Sequence, residues 1–334
     1  MRKREKDIGG NVRYMKNILF LSAGRRVELL RFARETLNKK DIPAQIFACD
    51  MSPTAPALFF ADKQFIVPPI NDVSYVEEII KISRENKVDV IIPTIDTELL
   101  PLAERYGEIT ERTGALVNLS SEWTVSICRD KVRTAKFLQE NGFGCPLLYE
   151  PEEVVFPAFI KPKHGSSSIS ANKINTQREM DFYLSIIPEP IIQEYIQGEE
   201  YTVDTFSDYD SNPVTIVPRK RLSVRSGEIM KGYIAKDREI IKQCKRLIKV
   251  LKLCGHNTVQ CIKANNKICF IEINARFGGG APMSLRAGAD SIMNLVKLSD
   301  GETLAYSEEW LSDIFCSRFD DSIFFNDNGE RLDL

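Results

Sequence analysis

K-I-C-F-I-E-I-N-A-R-F-G-G-G-A, residues 267–281, carries Glu272, Asn274 and Arg276 at a spacing of two within a run of β-formers. A strand points residues two apart to one face, so a carboxylate, an amide and a guanidinium are expected in one row. Hard divalent cations such as magnesium take oxygen ligands, which Glu and Asn supply, and the planar fork of Arg matches phosphate oxygens. The row therefore predicts a metal–phosphate site for a nucleotide. Gly278, Gly279 and Gly280 follow and let the backbone approach a substrate closely. The competing reading is an edge strand with a solvated polar face. The flanking I-C-F-I argues against it, because three strong polar groups beside a buried strand are costly without a ligand.

Upstream of this row, a turn at Asn265 and Asn266 predicts a hairpin with residues 258–262, bringing Gln260 beside Glu272 as a third oxygen ligand. Before it lies a helix over 237–253 and, within 214–233, the run P-R-K-R-L-S-V-R. Arg219, Lys220, Arg221 and Arg225 place four positive charges within seven residues, a credible clamp for a phosphate or carboxylate. Earlier still, I-I-Q-E-Y-I-Q-G-E-E-Y-T-V-D-T-F reads as an apolar strand, a short linker and an alternating strand. The connector Glu194, Tyr195, Ile196 would expose backbone to an adenine edge, and Glu200 would accept from ribose hydroxyls. F-P-A-F-I-K-P-K-H-G-S-S-S-I-S-A-N-K-I is a strand, a Gly/Ser loop and a second strand. Lys161 ends the first of these, so its ammonium and the loop amides would converge on one anion. Residues 122–143 read as one amphipathic helix ending at Gly142 and carrying Lys131 and Lys136.

The first 120 residues have a different rhythm. N-I-L-F-L-S-A-G from Asn17 is a strand and turn, followed by helical spacing in R-R-V-E-L-L-R-F-A-R-E-T-L. Further strands at 45–50 and 89–93, with a helix from near Tyr75, complete a Rossmann-like parallel unit. Strand ends in such sheets face a ligand crevice, which places residues 22–26, Asp50, Asp96 and Glu98 on one rim. S-A-G-R-R is not G-x-G-x-x-G, so a dinucleotide is not expected, and Arg25 is the candidate for a second substrate's carboxylate or phosphate. Residues 1–14 are polar and predict a disordered extension, with Met15 a plausible alternative start. Residues 300–334 carry no legible motif.

The chain of 334 residues has a 43% hydrophobic and 28% charged content, ordinary for a globular protein. A net charge of −2 gives no electrostatic reason to expect nucleic acid or an anionic membrane as partner. No apolar run is long enough for a transmembrane helix, and the basic N-terminus lacks a signal-peptide core, so a cytoplasmic location is expected. The eight cysteines include no C-x-x-C pair and only two histidines exist, which predicts reduced thiols and no zinc site.

Taken in order, the lysine on a helix, K-P-x-x-G-S-S-S, Q-E-Y-x-x-G-E-E-Y-T-V-D, a basic segment and Q…E-I-N-x-R-F-G-G-G resemble the ATP-grasp superfamily, in particular single-grasp proteins similar to the carbamoyl-phosphate synthase large subunit. The resemblance covers residues 17 to about 290 and implies an α/β and α+β fold. A Rossmann-like pre-ATP-grasp domain over 15–120 would precede a small lid subdomain over 121–196 and a C-terminal subdomain over 197–334. It implies ATP with Mg2+ or Mn2+ as cofactors. Lys131, Lys161 and the loop Gly165, Ser166, Ser167, Ser168 would hold the phosphates, with Glu194, Tyr195 and Ile196 at adenine and Glu200 at ribose. Gln260, Glu272 and Asn274 would hold metal, and Arg276, Lys161 and Arg221 would act on the transferred phosphate. Arg25, Asp96, Glu98, Arg225, Gly278 and Gly279 are the candidates for the second substrate. The family often has proline where Ala275 stands.

The activity implied is a carboxylate–amine ligase: a small carboxylate, an amino acid as the leading guess, forms an acyl phosphate with ATP and is joined to an amine, releasing ADP and phosphate. Small-molecule carboxylate and amine partners are expected, and a homodimer is left open. Two other readings stand beside it, a carbamoyl-phosphate-synthase-like enzyme or subunit acting on bicarbonate, and a non-catalytic ATP-binding module.

Overall fold

The computed structural model describes residues 4–6, 12–165 and 170–332. Arg4–Lys6 pairs antiparallel with Val12–Tyr14 ahead of the first sheet. That sheet is parallel and five-stranded, ordered Lys63–Ile66, Ala44–Asp50, Lys16–Phe20, Val90–Ile92, Leu116–Val117. Its strands are near-continuous apolar runs because helices cover both faces; Ile18, Leu19, Phe20 and Leu21 are all fully buried. Val27–Lys39 and Tyr75–Glu85 supply two of those helices.

A four-stranded antiparallel sheet follows, ordered Asn172–Ile174, Ala158–Pro162, Pro190–Glu194, Leu148–Tyr149. Its own core is small, built on Ala158, Ile160, Ile174, Met180, Ile187 and Ile192. The third sheet has six antiparallel strands, ordered Lys267–Asn274, Gly255–Ala264, Glu199–Ser207, Pro213–Arg225, Glu228–Ile234, Ile314–Ser317. The helix Arg238–Leu251 packs on it through Ile240, Ile241, Cys244, Leu247, Ile248 and Leu251, a stripe at helical spacing, and Asp237 caps its start.

Three sequence expectations are corrected. Residues 122–143 form two helices, Glu122–Arg129 and Lys131–Glu140. Asp130 separates them: its carboxylate accepts from the N–H groups of Val132 and Arg133 at 2.9 and 3.1 Å, an N-cap that starts a new helix. The Glu199–Ser207 strand does not alternate between buried and exposed, since every residue from Tyr201 to Ser207 is buried between its two neighbouring strands and the layers above and below. The C-terminal stretch that looked featureless contributes Ile314–Ser317 as the sheet's sixth strand.

Candidate functional site

The hairpin of Gly255–Ala264 and Lys267–Asn274 sets the centre of the site. Its register opposes Gln260 directly to Glu272 and Thr258 to Asn274. Gln260 is in turn opposite Thr202 on the neighbouring strand, so three oxygen-bearing side chains lie in a row across the sheet. The strand stops at Asn274, so Arg276 lies just beyond the predicted line of three. A tight turn returns it, with the Arg276 N–H donating to Asn274 O at 2.7 Å. Its guanidinium is then held by Asp96 of the first domain, by Phe277 O at 3.0 Å and by Asn274 Oδ1 at 3.4 Å.

Two lysines face this row from the other side. Lys161 ends the Ala158–Pro162 strand and is buried. Burial pushes its ammonium pKa down to about 8, against the pull of Glu272 and with the push of Lys131. Lys131 opens the second helix of its pair, and its ammonium donates to Gly165 O at 2.8 Å. Burial lowers its pKa also, with Glu272 and Asp96 opposing. Glu272 itself enters no hydrogen bond or ion pair among the described residues. A carboxylate faced by two lysines of lowered pKa is a charge arrangement that suits a cation and an anion held together between them.

A cavity of about 250 Å³ collects Lys131, Lys161, Gly165, Glu194, Tyr195, Ile196, Glu200, Arg221, Gln260 and Glu272. Pro190–Glu194 ends where the connector begins; the Glu194 N–H donates to Leu147 O at 2.8 Å and the Leu147 N–H donates to Glu194 Oε2 at 3.3 Å, fixing its start. Gly198 lets the connector press on the neighbouring strand, since a Cβ there would lie 2.5 Å from Lys263 O. Ser166, Ser167 and Ser168 lie outside the described residues.

A smaller cavity of about 90 Å³ shares the wall Arg221, Gln260 and Glu272 and adds Asn274, Arg276 and residues 278–280. Arg221 and Arg276 both bury an Nε with no hydrogen-bond partner, Arg221's being 3.5 Å from Glu200 and outside bonding geometry. An unpaired donor on Arg221 at the shared wall and another on Arg276 in the smaller cavity suit an anion at the junction of the two.

The structure does not gather all the candidates for the second substrate. Gly278 and Gly279 line the smaller cavity. Asp96 reaches it only through Arg276. Glu98 is fully buried inside the first domain, where Ser22, Tyr75 and the Thr94 N–H donate to it at 2.6, 2.8 and 2.6 Å, a strut for the turn. Arg25 is exposed near Asp320, and Arg225 pairs with that same Asp320, both outside the cavities.

The arginine that does face the smaller cavity is Arg26, whose Nη1 donates to Glu228 Oε1 at 3.0 Å. Sequence alone could not choose between adjacent residues of a turn. Arg219 was legible only as part of the basic run, yet it is fully buried and gripped by Asp204 at 2.8 and 3.0 Å. Burial drives the Asp204 pKa up, and Arg219 and His256 together outweigh it, holding the carboxylate below its ordinary range. The signal was the Asp inside T-V-D-T-F, since a charge in an apolar strand needs a buried partner.

Known proteins resemble this chain in sequence and in fold. The family model described as ATP-grasp domain matches residues 128–280, and that described as PylC-like, N-terminal domain matches residues 18–116. A D-alanine–D-alanine ligase of Bacillus anthracis is 26% identical over 261 residues, spanning 69% of this chain and 83% of the relative. A carbamoyl phosphate synthase large chain of Thermoanaerobacter sp. (strain X514) is 26% identical over 218 residues, 58% of this chain but 20% of that one. Among solved structures, a biotin carboxylase complex with β,γ-ATP from Campylobacter jejuni superimposes with a TM-score of 0.70 at 18% identity, covering 90% of this chain and 74% of that one.

Proposed function

The chain belongs to the ATP-grasp superfamily, with a PylC-like domain ahead of the grasp, and from that premise we propose that it is an ADP-forming ligase joining a small carboxylate, an amino acid foremost, to an amine. The observation that carries the reading is the shared wall. Arg221, Gln260 and Glu272 border both a long cavity lined by lysines and a small one lined by arginines. A phosphoryl group at that wall is within reach of a nucleotide on one side and a carboxylate on the other.

The larger cavity suits ATP. The connector of Glu194, Tyr195 and Ile196 would take the base and Glu200 the ribose, while Lys131, Lys161 and Gly165 lie toward the phosphates. Gln260, Glu272 and Asn274 form an oxygen-only donor set that fits magnesium or manganese, and Glu272 is otherwise unengaged. When bound, the metal screens charge on the phosphate oxygens. The chain's own contribution is positional: Lys161, Arg221 and Arg276 hold the transferred group as a carboxylate oxygen attacks the γ-phosphorus and the bond to ADP breaks. The acyl phosphate then meets the amine, whose nitrogen bonds to the carbonyl carbon as phosphate leaves with the electron pair and the amine proton passes to solvent. Similarity to D-alanine–D-alanine ligase over most of that enzyme's length supports an amino acid as carboxylate.

The test is magnesium-dependent ADP release across pairs of amino acids, other small carboxylates, bicarbonate and amines. Glu272→Ala is expected to lower turnover by at least about a hundredfold with an unchanged melting curve. Turnover only with bicarbonate and ammonia would replace this reading with the carbamoyl-phosphate one. Full turnover in Glu272→Ala would remove the metal assignment.

A further inference from the structure

We propose that Arg219 and Arg26 form an anchor in the smaller cavity for a substrate carboxylate that takes no part in bond formation, so that the amine acceptor is an amino acid held by its own carboxylate; this rests on the ligase reading above.

Arg219 is the largest fully buried side chain of the protein's described residues. Its Nε and Nη2 are spent on Asp204. Among the described residues Nη1 has only the thioether of Met283 at 3.8 Å, a weak acceptor, and Arg219 lines the smaller cavity. A buried guanidinium that lines a cavity and keeps a weakly bonded donor suits an anionic ligand. The fork is rigid, because Ser284 donates to Asp204 at 2.5 Å and Thr258 at 3.3 Å, so little freedom is lost on binding.

Gly280 makes the approach possible. A Cβ there would lie 2.6 Å from Arg219 Nη1 and 2.5 Å from Ile229 Cγ2, although the backbone φ of −93° suits any residue. The need at Gly280 is therefore space and not conformation. Arg26 arrives from the first domain on the neighbouring glycine, its Nη1 being 2.7 Å from where a Gly279 Cβ would stand. Two guanidinium groups from two domains thus flank one glycine run. Planar forks of this kind recognise carboxylates. Burial first, and then the charge of Arg276, lower the Arg26 pKa, against the pull of Glu228, which holds the guanidinium in place at the cavity.

Arg221, Gln260 and Glu272 form the wall shared with the larger cavity, where the phosphate side lies, and neither Arg219 nor Arg26 lines that larger cavity. The cavity is thereby divided. An acceptor amino acid would keep its carboxylate on Arg219 and Arg26 and turn its amine toward the acyl phosphate; the carboxylate emerges unchanged in the product.

The experiment compares each amino acid with the amine lacking its carboxylate, by calorimetric binding to the protein with Mg·ADP and by ADP release. The wild type should bind the amino acid about ten- to a hundredfold more tightly, the value of one or two charge-assisted hydrogen bonds. Arg26→Ala, and Arg219→Lys, which leaves Asp204 a charged partner, should each erase most of that preference. KM for the amino acid should rise, kcat at saturation should hold, and affinity for Mg·ADP should not change. Equal binding of amino acid and bare amine by the wild type, alongside ADP release, overturns the anchor and leaves the ligase reading standing. Arginine-dependent amino-acid binding without ADP release from any pair upholds the anchor and overturns the ligase reading. An Arg219→Lys protein with a wild-type melting curve and an undiminished preference also overturns the anchor.

Discussion

Lys161 shows how a single side chain couples stability to function. Its ammonium is buried and its pKa falls to about 8, so the folded chain releases a proton that the unfolded chain still holds. Between about 8 and the ordinary lysine value of 10.5, the unfolded state binds more protons and stability rises with pH; below that window the fold carries the full cost of the buried charge. That cost is roughly 3 kcal/mol by the displacement of the pKa. Lys161→Met should therefore raise the melting temperature at neutral pH by several degrees, with the gain shrinking as pH climbs through the window. The same change should weaken ATP about ten- to a hundredfold by removing a charged donor. Melting curves across pH and nucleotide titration check both; a variant that binds ATP like the wild type would take Lys161 out of the site. At this scale the sequence was informative where geometry is forced. The Asn265 and Asn266 turn fixes the hairpin pairing by counting as far as Cys261 opposite Phe270, whereas the opposition of Gln260 to Glu272 also needs the one-residue register shift between Gln260 and Cys261, which counting does not supply. It was uninformative where phase is free: adjacent arginines, Arg25 and Arg26, point to different surroundings, and nothing in a turn's composition chooses between them.

At the scale of elements, the misread helix is instructive. Residues 122–143 have continuous helical spacing, and periodicity alone gives no reason to interrupt it. Asp130 interrupts it because a short carboxylate competes for backbone N–H groups, here those of Val132 and Arg133. The break places Lys131 on the first turn of a new helix, where it meets the Gly165 carbonyl and closes the larger cavity. Asp130 also pairs with Lys163 at 3.3 Å, tying the helix start to the strand that carries Lys161. Asp130→Ala should thus cost about 1 kcal/mol of stability as a lost cap. It should also weaken nucleotide binding several-fold, though Asp130 lines neither cavity. Asp130→Asn, which retains the cap but not the charge, should recover most of the stability. Thermal melts paired with ADP titration separate the two effects; unchanged nucleotide affinity in Asp130→Ala would show that the break shapes the chain without shaping the site. The edge strand Ile314–Ser317 was illegible for a related reason. Its residues are mostly exposed, so it bears no periodic burial signal, and only its pairing with Glu228–Ile234 defines it.

For the whole molecule, the parallel domain is more than a platform. It reaches the smaller cavity through Arg26, which bonds Glu228, and through Asp96, which holds Arg276. The larger cavity, by contrast, is lined entirely by residues from Lys131 to Glu272. On the ligase reading a division of labour follows: nucleotide contacts would belong to residues 131–272, and the orientation of the reacting carboxylate would depend on both domains. Asp96→Ala tests this because it leaves Arg276 tethered through Phe277 O alone among its short contacts. A guanidinium displaced by about 1 Å from the transferring group costs on the order of a hundredfold in rate. Turnover should fall by about that much while ATP affinity stays within about twofold, since Asp96 touches no wall of the larger cavity. Asp96→Glu, longer by one methylene, should restore part of the rate by regaining the ion pair. Equal losses of nucleotide affinity and turnover would mean that the first domain acts on the grasp as a whole; a loss confined to turnover would locate its role at Arg276 and the smaller cavity.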